Sequence, residues 1–281
     1  ITGMGMGYHV LETLRRAPPQ SRLIIIEKNA ELLLLALTHS DFAPRINCPG
    51  STMHIGIDPS QIPQALGADK IQFALNGYAI IAFKPLVDAD IAYYHSINKT
   101  LENTVQENRM DFKTQSAFSS SFYNNIIDNL PAILDSVSIK PLANTLPGVP
   151  AIIISAGPSL DKNIQLLKNL RDKAVLIAVA TALRPLLSNQ IEPDFVVAVD
   201  PDEILLKAFD LQKSPQNTWL LFDPCVIPLI PECFESRKLV FDSNVYLSQW
   251  LARHNGERGS LGKMQSVAHT ALKFALHLGC K

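Results

Sequence analysis

Four consecutive apolar residues, Ala151-Ile152-Ile153-Ile154, run straight into Ser155-Ala156-Gly157-Pro158-Ser159-Leu160-Asp161, and a helical period then takes over. A strand apolar at every position has no solvent face, so it belongs in a parallel sheet covered on both sides. The turn after it carries glycine and proline where a helix begins. The same order of strand, turn and helix returns in AVLIAVATALRPLLSNQ, and further strands are readable in FVVAVDPDE and TWLLFDP. Four such units predict a doubly wound α/β sheet over residues 149–281, closed by the amphipathic helix KMQSVAHTALKFALHLG.

The start of the chain repeats the theme. Gly3, Gly5 and Gly7 precede the helical run YHVLETLRR, and RLIIIEKNAELLLLAL supplies a strand ending near Glu27 and a second helix. Short runs near 53–57, 71–75 and 79–83 are further strand candidates, so residues 1–90 are expected to form a Rossmann-like domain. From 91 to 148 the texture is long, mixed and helical, with Asn124, Asn125 and Asn129, a break at Pro131, and Pro141, Pro147, Gly148 and Pro150 at its end. That stretch reads as a helical connector between the two domains. No repeat of solenoid length is visible. The Gly-rich turn opens almost at the first residue, and the last helix stops at Gly279-Cys280-Lys281, so the chain reads as a piece of a longer protein with its second domain truncated at the C-terminus.

Charge narrows the partners. The 25 basic and 26 acidic residues nearly cancel, with 11 and 13 in residues 1–150 and 14 and 13 in the rest, so neither half is a basic module for nucleic acid or an anionic membrane. The longest apolar runs, 32–37 and 176–183, fall far short of the ~20 residues a membrane helix requires. Cys48, Cys225, Cys233 and Cys280 form no CxxC pair and have no histidine at ligand spacing, so no metal site is expected. They read as reduced, mostly buried thiols of a cytoplasmic protein.

Two turns are candidate ligand sites. Gly3, Gly5 and Gly7 let a backbone approach a ligand at a helix N-terminus, with Glu27 placed for ribose hydroxyls; the alternative is a tight strand-to-helix turn that binds nothing. In the second domain, Gly157 offers close approach, Pro158 stiffens the turn, and Ser159 either caps the helix or binds an anion there. This turn falls at the carboxyl ends of the strands, where open α/β sheets hold their ligands. No GK[ST] follows, which excludes a P-loop. Asp200, at the end of its strand, faces that side, and Asp223-Pro224 repeats the pattern of Asp200-Pro201; Asp194 begins the strand that Asp200 ends. His269 and His277 share a face of the last helix with Lys273 between them, and Ser266 stands at its start.

PAIIISAGPSLDKNIQLLKNL, AVLIAVATALRPLLSNQIEPDFVVAVDP and SVAHTALKFALHLGCK, in that order, resemble the central domain of the bacterial motility accessory factor (Maf) family, and GMGMGYHVLETL with IIIEKNAELL is similar to the domain before it. The resemblance implies a flagellin glycosyltransferase that moves a nonulosonic acid, of pseudaminic or legionaminic type, from its CMP-activated form onto Ser or Thr. The second domain is likewise similar to Rossmann-like bacterial sialyltransferases. Carried over, Ser155, Gly157, Pro158 and Ser159 would hold the nucleotide and its phosphate, Ala180 and Thr181 would line its cleft, and Ser266 would match the turn before the last helix. That turn is usually richer in glycine than Gly262-Lys263-Met264-Gln265, and family members continue beyond Lys281. Asp200 and His269 are the candidate catalytic bases within this chain. The domain also resembles archaeal 6-hydroxymethylpterin diphosphokinases, which would use ATP with magnesium, held by Asp194, Asp200 and Asp202. A third reading is a flagellar assembly accessory that binds flagellin without catalysis.

Overall fold

The computed structural model describes residues 1–18, 21–39, 51–67, 69–170, 173–209, 215–262 and 266–281. The chain divides into two units, Ile1–Ala117 and Phe118–Lys281.

In the first unit, helix α1 (Tyr8–Arg16) leads to strand β1 (Leu23–Glu27), helix α2 (Ala30–His39) and strand β2 (Ser51–Ile55). β1 and β2 pair in parallel from Leu23↔Ser51 to Glu27↔Ile55, while Thr2 bridges in parallel to Ile26 on one side and Ala82 on the other. The backbone order across the layer is therefore 51–55, 23–27, Thr2, Ala82, a Rossmann-like arrangement. Short helices α3 (Ile62–Leu66), α4 (Asp69–Asn76) and α5 (Lys84–Ala89) follow. The strand expected at 71–75 is instead part of α4: Ile71 and Leu75, four residues apart, are exposed while Ala74 is buried. An apolar run this short does not by its pattern distinguish helix from strand.

Helix α6 (Ile91–Asp128) contains the division between the units. Its Ile97 packs with Ile26, Ile62 and Leu66 of the first unit, and its Ile126 belongs to a core of the second. The expected connector is thus shared out between the units. Its last part, helix α7 (Leu130–Asp135) and strand β3 (Val137–Ser138), belongs to the second unit. Pro131 lies in the first turn of α7, where its missing N–H costs nothing.

The second unit continues with β4 (Ala151–Ile154), α8 (Pro158–Leu167), β5 (Val175–Val179), α9 (Ala180–Ser188), β6 (Phe195–Ala198), a 3₁₀ turn at Glu203–Ala208, β7 (Trp219–Phe222), α10 (Leu229–Glu232), β8 (Lys238–Val240), α11 (Tyr246–Asn255) and α12 (Val267–Leu278). All six strands are parallel in the order β3-β8-β7-β6-β5-β4. Strand alternation sorts the two faces. Leu176, Ala178, Val196, Ala198, Leu220 and Phe222 pack under α8, α9 and α10, while Ile177, Val197, Leu221 and Leu239 pack under Ala271, Phe274 and Ala275 of α12. Burial on both faces is what the unbroken apolar strands require.

The path of the chain locates the place where the winding reverses. From β4 to β8 it steps one strand at a time in one direction, and α12 then carries it back across the other face. There Lys281 donates its N–H to Val149 O at 2.9 Å and accepts the Ala151 N–H at 2.9 Å, seating itself against the outer edge of β4. The switch point of this doubly wound sheet is β4, the strand that ends in the Gly157 turn.

Among the described residues no helix is long and apolar enough to cross a membrane. Cys225 and Cys280 are buried free thiols and Cys233 is half-buried; Cys48 lies outside the described residues.

Candidate functional site

The two glycine turns contain the same residue for different reasons. Gly3, Gly5 and Gly7 all have positive φ, at 81°, 51° and 76°, so their conformation itself calls for glycine. Their surroundings are filled by the protein. A Cβ on Gly5 would lie 2.8 Å from the Phe83 ring, one on Gly3 would lie 3.3 Å from Leu86 Cβ, and Phe83 is itself stacked on His9. Glu27 does not face outward to a ribose. It is fully buried, its Oε2 accepts the N–H groups of Met4 (2.6 Å) and Gly5 (3.3 Å), and its Oε1 accepts from Asn29 N–H (2.9 Å) and the Tyr94 hydroxyl (3.3 Å). The carboxylate holds the turn in shape. Burial and the Glu27 charge push Tyr94 up to about 12, so it remains a donor.

Gly157 is the contrary case. Its φ is −107°, which any residue adopts, and a Cβ there would meet only Ser159 Oγ, at 3.8 Å. What glycine contributes here is a bare backbone. Gly157 is the N-cap of α8, which has no side-chain cap; Ser159 lies in the first turn and does not cap it, contrary to one of the two expectations. Pro158 has no N–H and the Leu160 N–H bonds to Gly157 O (2.8 Å), while the Ser159 N–H has no partner among the described residues. Ser155, Pro158 and Ser159 are exposed. The Gly157 N–H is itself spent on Ser155 O (2.9 Å), so what this corner offers an anion is the Ser159 N–H and the positive end of the helix dipole.

Two more helix N-termini open on the same side. α9 follows β5 without a loop and has no side-chain cap; Thr181 is exposed in its first turn. The Ala180 methyl is buried in the core, so this residue has only its backbone to offer a cleft. At α12 the Ser266 hydroxyl caps its own helix by accepting the His269 N–H at 3.2 Å. His269 is exposed in that first turn, and His277, about two turns on, bonds Ile139 O at 2.8 Å. Of the glycine-poor turn ahead of α12, residues 263–265 lie outside the described residues.

Three adjacent strands each end in an aspartate. Asp200 follows β6, Asp223 follows β7, and Asp242, which the sequence reading passed over, follows β8. Asp242 is spent on structure, its Oδ2 accepting the N–H groups of Arg258 (2.9 Å) and Gly259 (3.1 Å). Burial, and then the charge of Asp202, push the Asp200 carboxyl above the usual range. Asp194 lies at the other end of β6, where its Oδ2 accepts the Leu176 N–H at 2.7 Å. The three acids proposed as joint magnesium holders therefore do not come together; only Asp200 and Asp202 are neighbours. Among the described residues no three His, Cys, Asp or Glu side chains converge on a metal position. A hollow of about 430 Å³ opens at the amino ends of the strands, lined by Lys173, Asp194, Phe195, Asn217 and Trp219. Helices end rather than begin on that side, so it lacks the N–H groups that favour a phosphate.

Burial also raises the pKa of Asp223, against opposing hydrogen bonds from Cys225 and Ser243. An acid whose folded pKa lies above its unfolded value contributes stability that is full below the unfolded value and lost as pH rises through the folded one. Asp223→Asn keeps an acceptor for the Cys225 N–H (2.8 Å) and cannot ionise. It is expected to unfold at a higher temperature than the wild type at about pH 8, with the gap closing toward about pH 4. Thermal unfolding across that range measures it, and a wild type that gains on the variant as pH rises contradicts it.

The fold defines a class, the doubly wound α/β proteins, whose open sheets hold their ligands at the strand carboxyl ends. Residues 124–281 match the family described as 6-hydroxymethylpterin diphosphokinase MptE-like, which is more than half of the chain, and the protein belongs to this MptE-like family. The structure of MAf glycosyltransferase from Magnetospirillum magneticum AMB-1 matches 100% of this chain and 45% of its own length, with a TM-score of 0.65 and 18% identity, which is a likeness of fold. Two uncharacterized proteins of Treponema pallidum (strain Nichols) are also similar. One is 33% identical over 96 residues, 34% of this chain and 45% of that protein; the other is 23% identical over 177 residues, 61% of this chain and 57% of that protein. The chain spans about half the length of these curated relatives and of the solved neighbour.

Proposed function

We propose that this chain is the nucleotide-binding portion of a cytoplasmic flagellin O-glycosyltransferase, taking a CMP-activated nonulosonic acid and transferring the sugar to Ser or Thr. One observation carries the reading: Gly157, a glycine that its backbone conformation does not require, with only the Ser159 hydroxyl near the position of a Cβ, at the N-terminus of α8 that no side chain caps, beside the switch strand. That is the geometry for a phosphate brought close to main chain. The fold likeness to the Maf glycosyltransferase supports a glycosyltransferase, and the donor and acceptor named here follow from the resemblance of the three sequence blocks. In this reading the α8 N-terminus receives the phosphate of the departing CMP, displacement occurs at the anomeric carbon, and the acceptor hydroxyl gives its proton to a base. Asp200 is the base favoured in this reading, because burial and the Asp202 charge raise its pKa.

The family match favours a second reading, a diphosphokinase that binds ATP with magnesium. Calorimetric titration with CMP, and with ATP plus magnesium, separates the two when repeated on Gly157→Trp. The ordinary φ of Gly157 and the open space before it let the indole be placed without unfolding the chain, so lost binding reports a blocked turn. CMP affinity is expected to fall by at least about 10-fold, since the ring covers the free Ser159 N–H and the approach to the helix N-terminus. Magnesium-dependent ATP binding without CMP binding selects the kinase. Binding of flagellin by Gly157→Trp, with neither nucleotide bound by the wild type, selects the non-catalytic accessory.

A further inference from the structure

Two Asp-Pro steps leave the sheet, Asp200-Pro201 after β6 and Asp223-Pro224 after β7. Proline has no N–H, so each step loses a backbone donor that would otherwise tie down the loop, while its carbonyl still needs a partner. In both loops that partner is an asparagine amide from the end of α6. Asn125 Nδ2 donates to Pro201 O (3.2 Å) and to Cys225 O (2.9 Å). Asn129 Nδ2, buried at 1% exposure, donates to Pro224 O (3.0 Å) and to Val226 O (2.7 Å). Four residues separate the two asparagines, so one helical face presents both amides, as the Asn129 N–H bond to Asn125 O (2.8 Å) requires. Asn125 spans both loops and Asn129 clasps the second. Each aspartate carboxyl is therefore one residue away from a carbonyl fixed to the same helix.

We infer that Asn125 and Asn129 are positioning residues that set the placement of the Asp200 and Asp223 carboxyls relative to each other, which makes Asp223 a second acid of the cleft. The inference rests on reading the strand carboxyl ends as the transferase cleft, where a 1 Å displacement of an acid matters to the reaction. A purely structural amide would hold the loops against unfolding without governing how the carboxyls titrate.

The test uses the whole chain and reads the carboxyl-carbon NMR titrations of Asp200 and Asp223 together with CMP affinity. Asn125 is half-buried, so Asn125→Ala is the variant that keeps its fold; Asn125→Gln restores a donor, and Asn129→Asp puts an acceptor against two carbonyls. Asn125→Ala is expected to move both titrations and to weaken CMP about fivefold, with recovery to within about twofold in Asn125→Gln. Titrations of both aspartates unmoved in a folded Asn125→Ala overturn the inference, whatever happens to CMP. Moved titrations in a chain whose wild type does not bind CMP uphold the positioning role and remove the nucleotide reading instead. If Asn129→Asp fails to fold, Asn125→Ala alone decides.

Discussion

Replacing Glu27 by alanine is expected to destabilise the first unit by about 3–5 kcal/mol, because it strands two buried backbone N–H groups and one buried hydroxyl, at about 1–3 kcal/mol each before relaxation, and releases a third N–H, that of the exposed Asn29, to water. The affected donors are Met4, Gly5, Asn29 and the Tyr94 hydroxyl. For a unit of this size the loss lowers the unfolding midpoint by roughly 10–20 °C. Glu27→Gln separates the contributions. Its amide oxygen still accepts from Met4 and Gly5, and its NH₂ donates to Tyr94 but opposes the Asn29 N–H, so about half of the loss is expected. Calorimetric unfolding of the wild type and both variants measures this. Equal, small losses in both would mean that water already satisfies the turn. No nucleotide effect is expected from either variant, since the Glu27 carboxylate faces its own backbone and the Gly5 side of the turn is closed by Phe83.

Glu27 also marks where sequence reading stops. Its position at the end of β1, 20 residues after Gly7, was legible, because strand length and turn residues fix it. Its direction was not: a carboxylate pointing at ribose and one pointing back at its own glycine turn have the same spacing. The two glycine turns differ likewise in φ and in what stands before them, which the letter G does not carry. The strands β4 to β7 were readable because unbroken apolar runs demand burial on both faces. β3 and β8, two and three residues long, have no period to read and exist by virtue of their parallel partners. The asparagines at 125 and 129 were visible as a polar run, yet their partners are main-chain carbonyls some 76 to 100 residues away, and every residue has a carbonyl. Asp242 was missed for a related reason: a short strand hides the end at which its acid sits.

Gly279→Val is the substitution expected to cost the second unit most, about 3–5 kcal/mol, combining about 1–3 for a β-branched residue in the left-handed region with about 1–3 for overpacking. Gly279 has φ +85°, and a Cβ there would lie 2.4 Å from Asn144 Oδ1 and 3.3 Å from both Asn144 Cα and Pro147 Cα. The side-chain oxygen can swing aside; the two backbone atoms cannot. They belong to a segment laid along the end of α12, with Asn144 N–H on His277 O, Leu146 N–H on Leu278 O and Gly148 N–H on Gly279 O, each at 2.8 Å. The same ladder continues into the Lys281 bridge on the outer edge of β4, so displacing it loosens the strand that carries the Gly157 turn. Gly256→Ala is the control, because its φ is +90° and nothing lies within 4 Å of the added carbon. It carries a conformational cost alone, about 1–3 kcal/mol, at a ψ of 141° where Gly279 has 13°. Denaturant unfolding of Gly279→Val and Gly256→Ala measures both losses, and the larger is expected at Gly279, where packing is added to conformation. Equal losses at the two positions would mean that the 144–149 segment yields freely, and the edge of β4 would then be held by its pairing to β5 rather than by the clasp on α12.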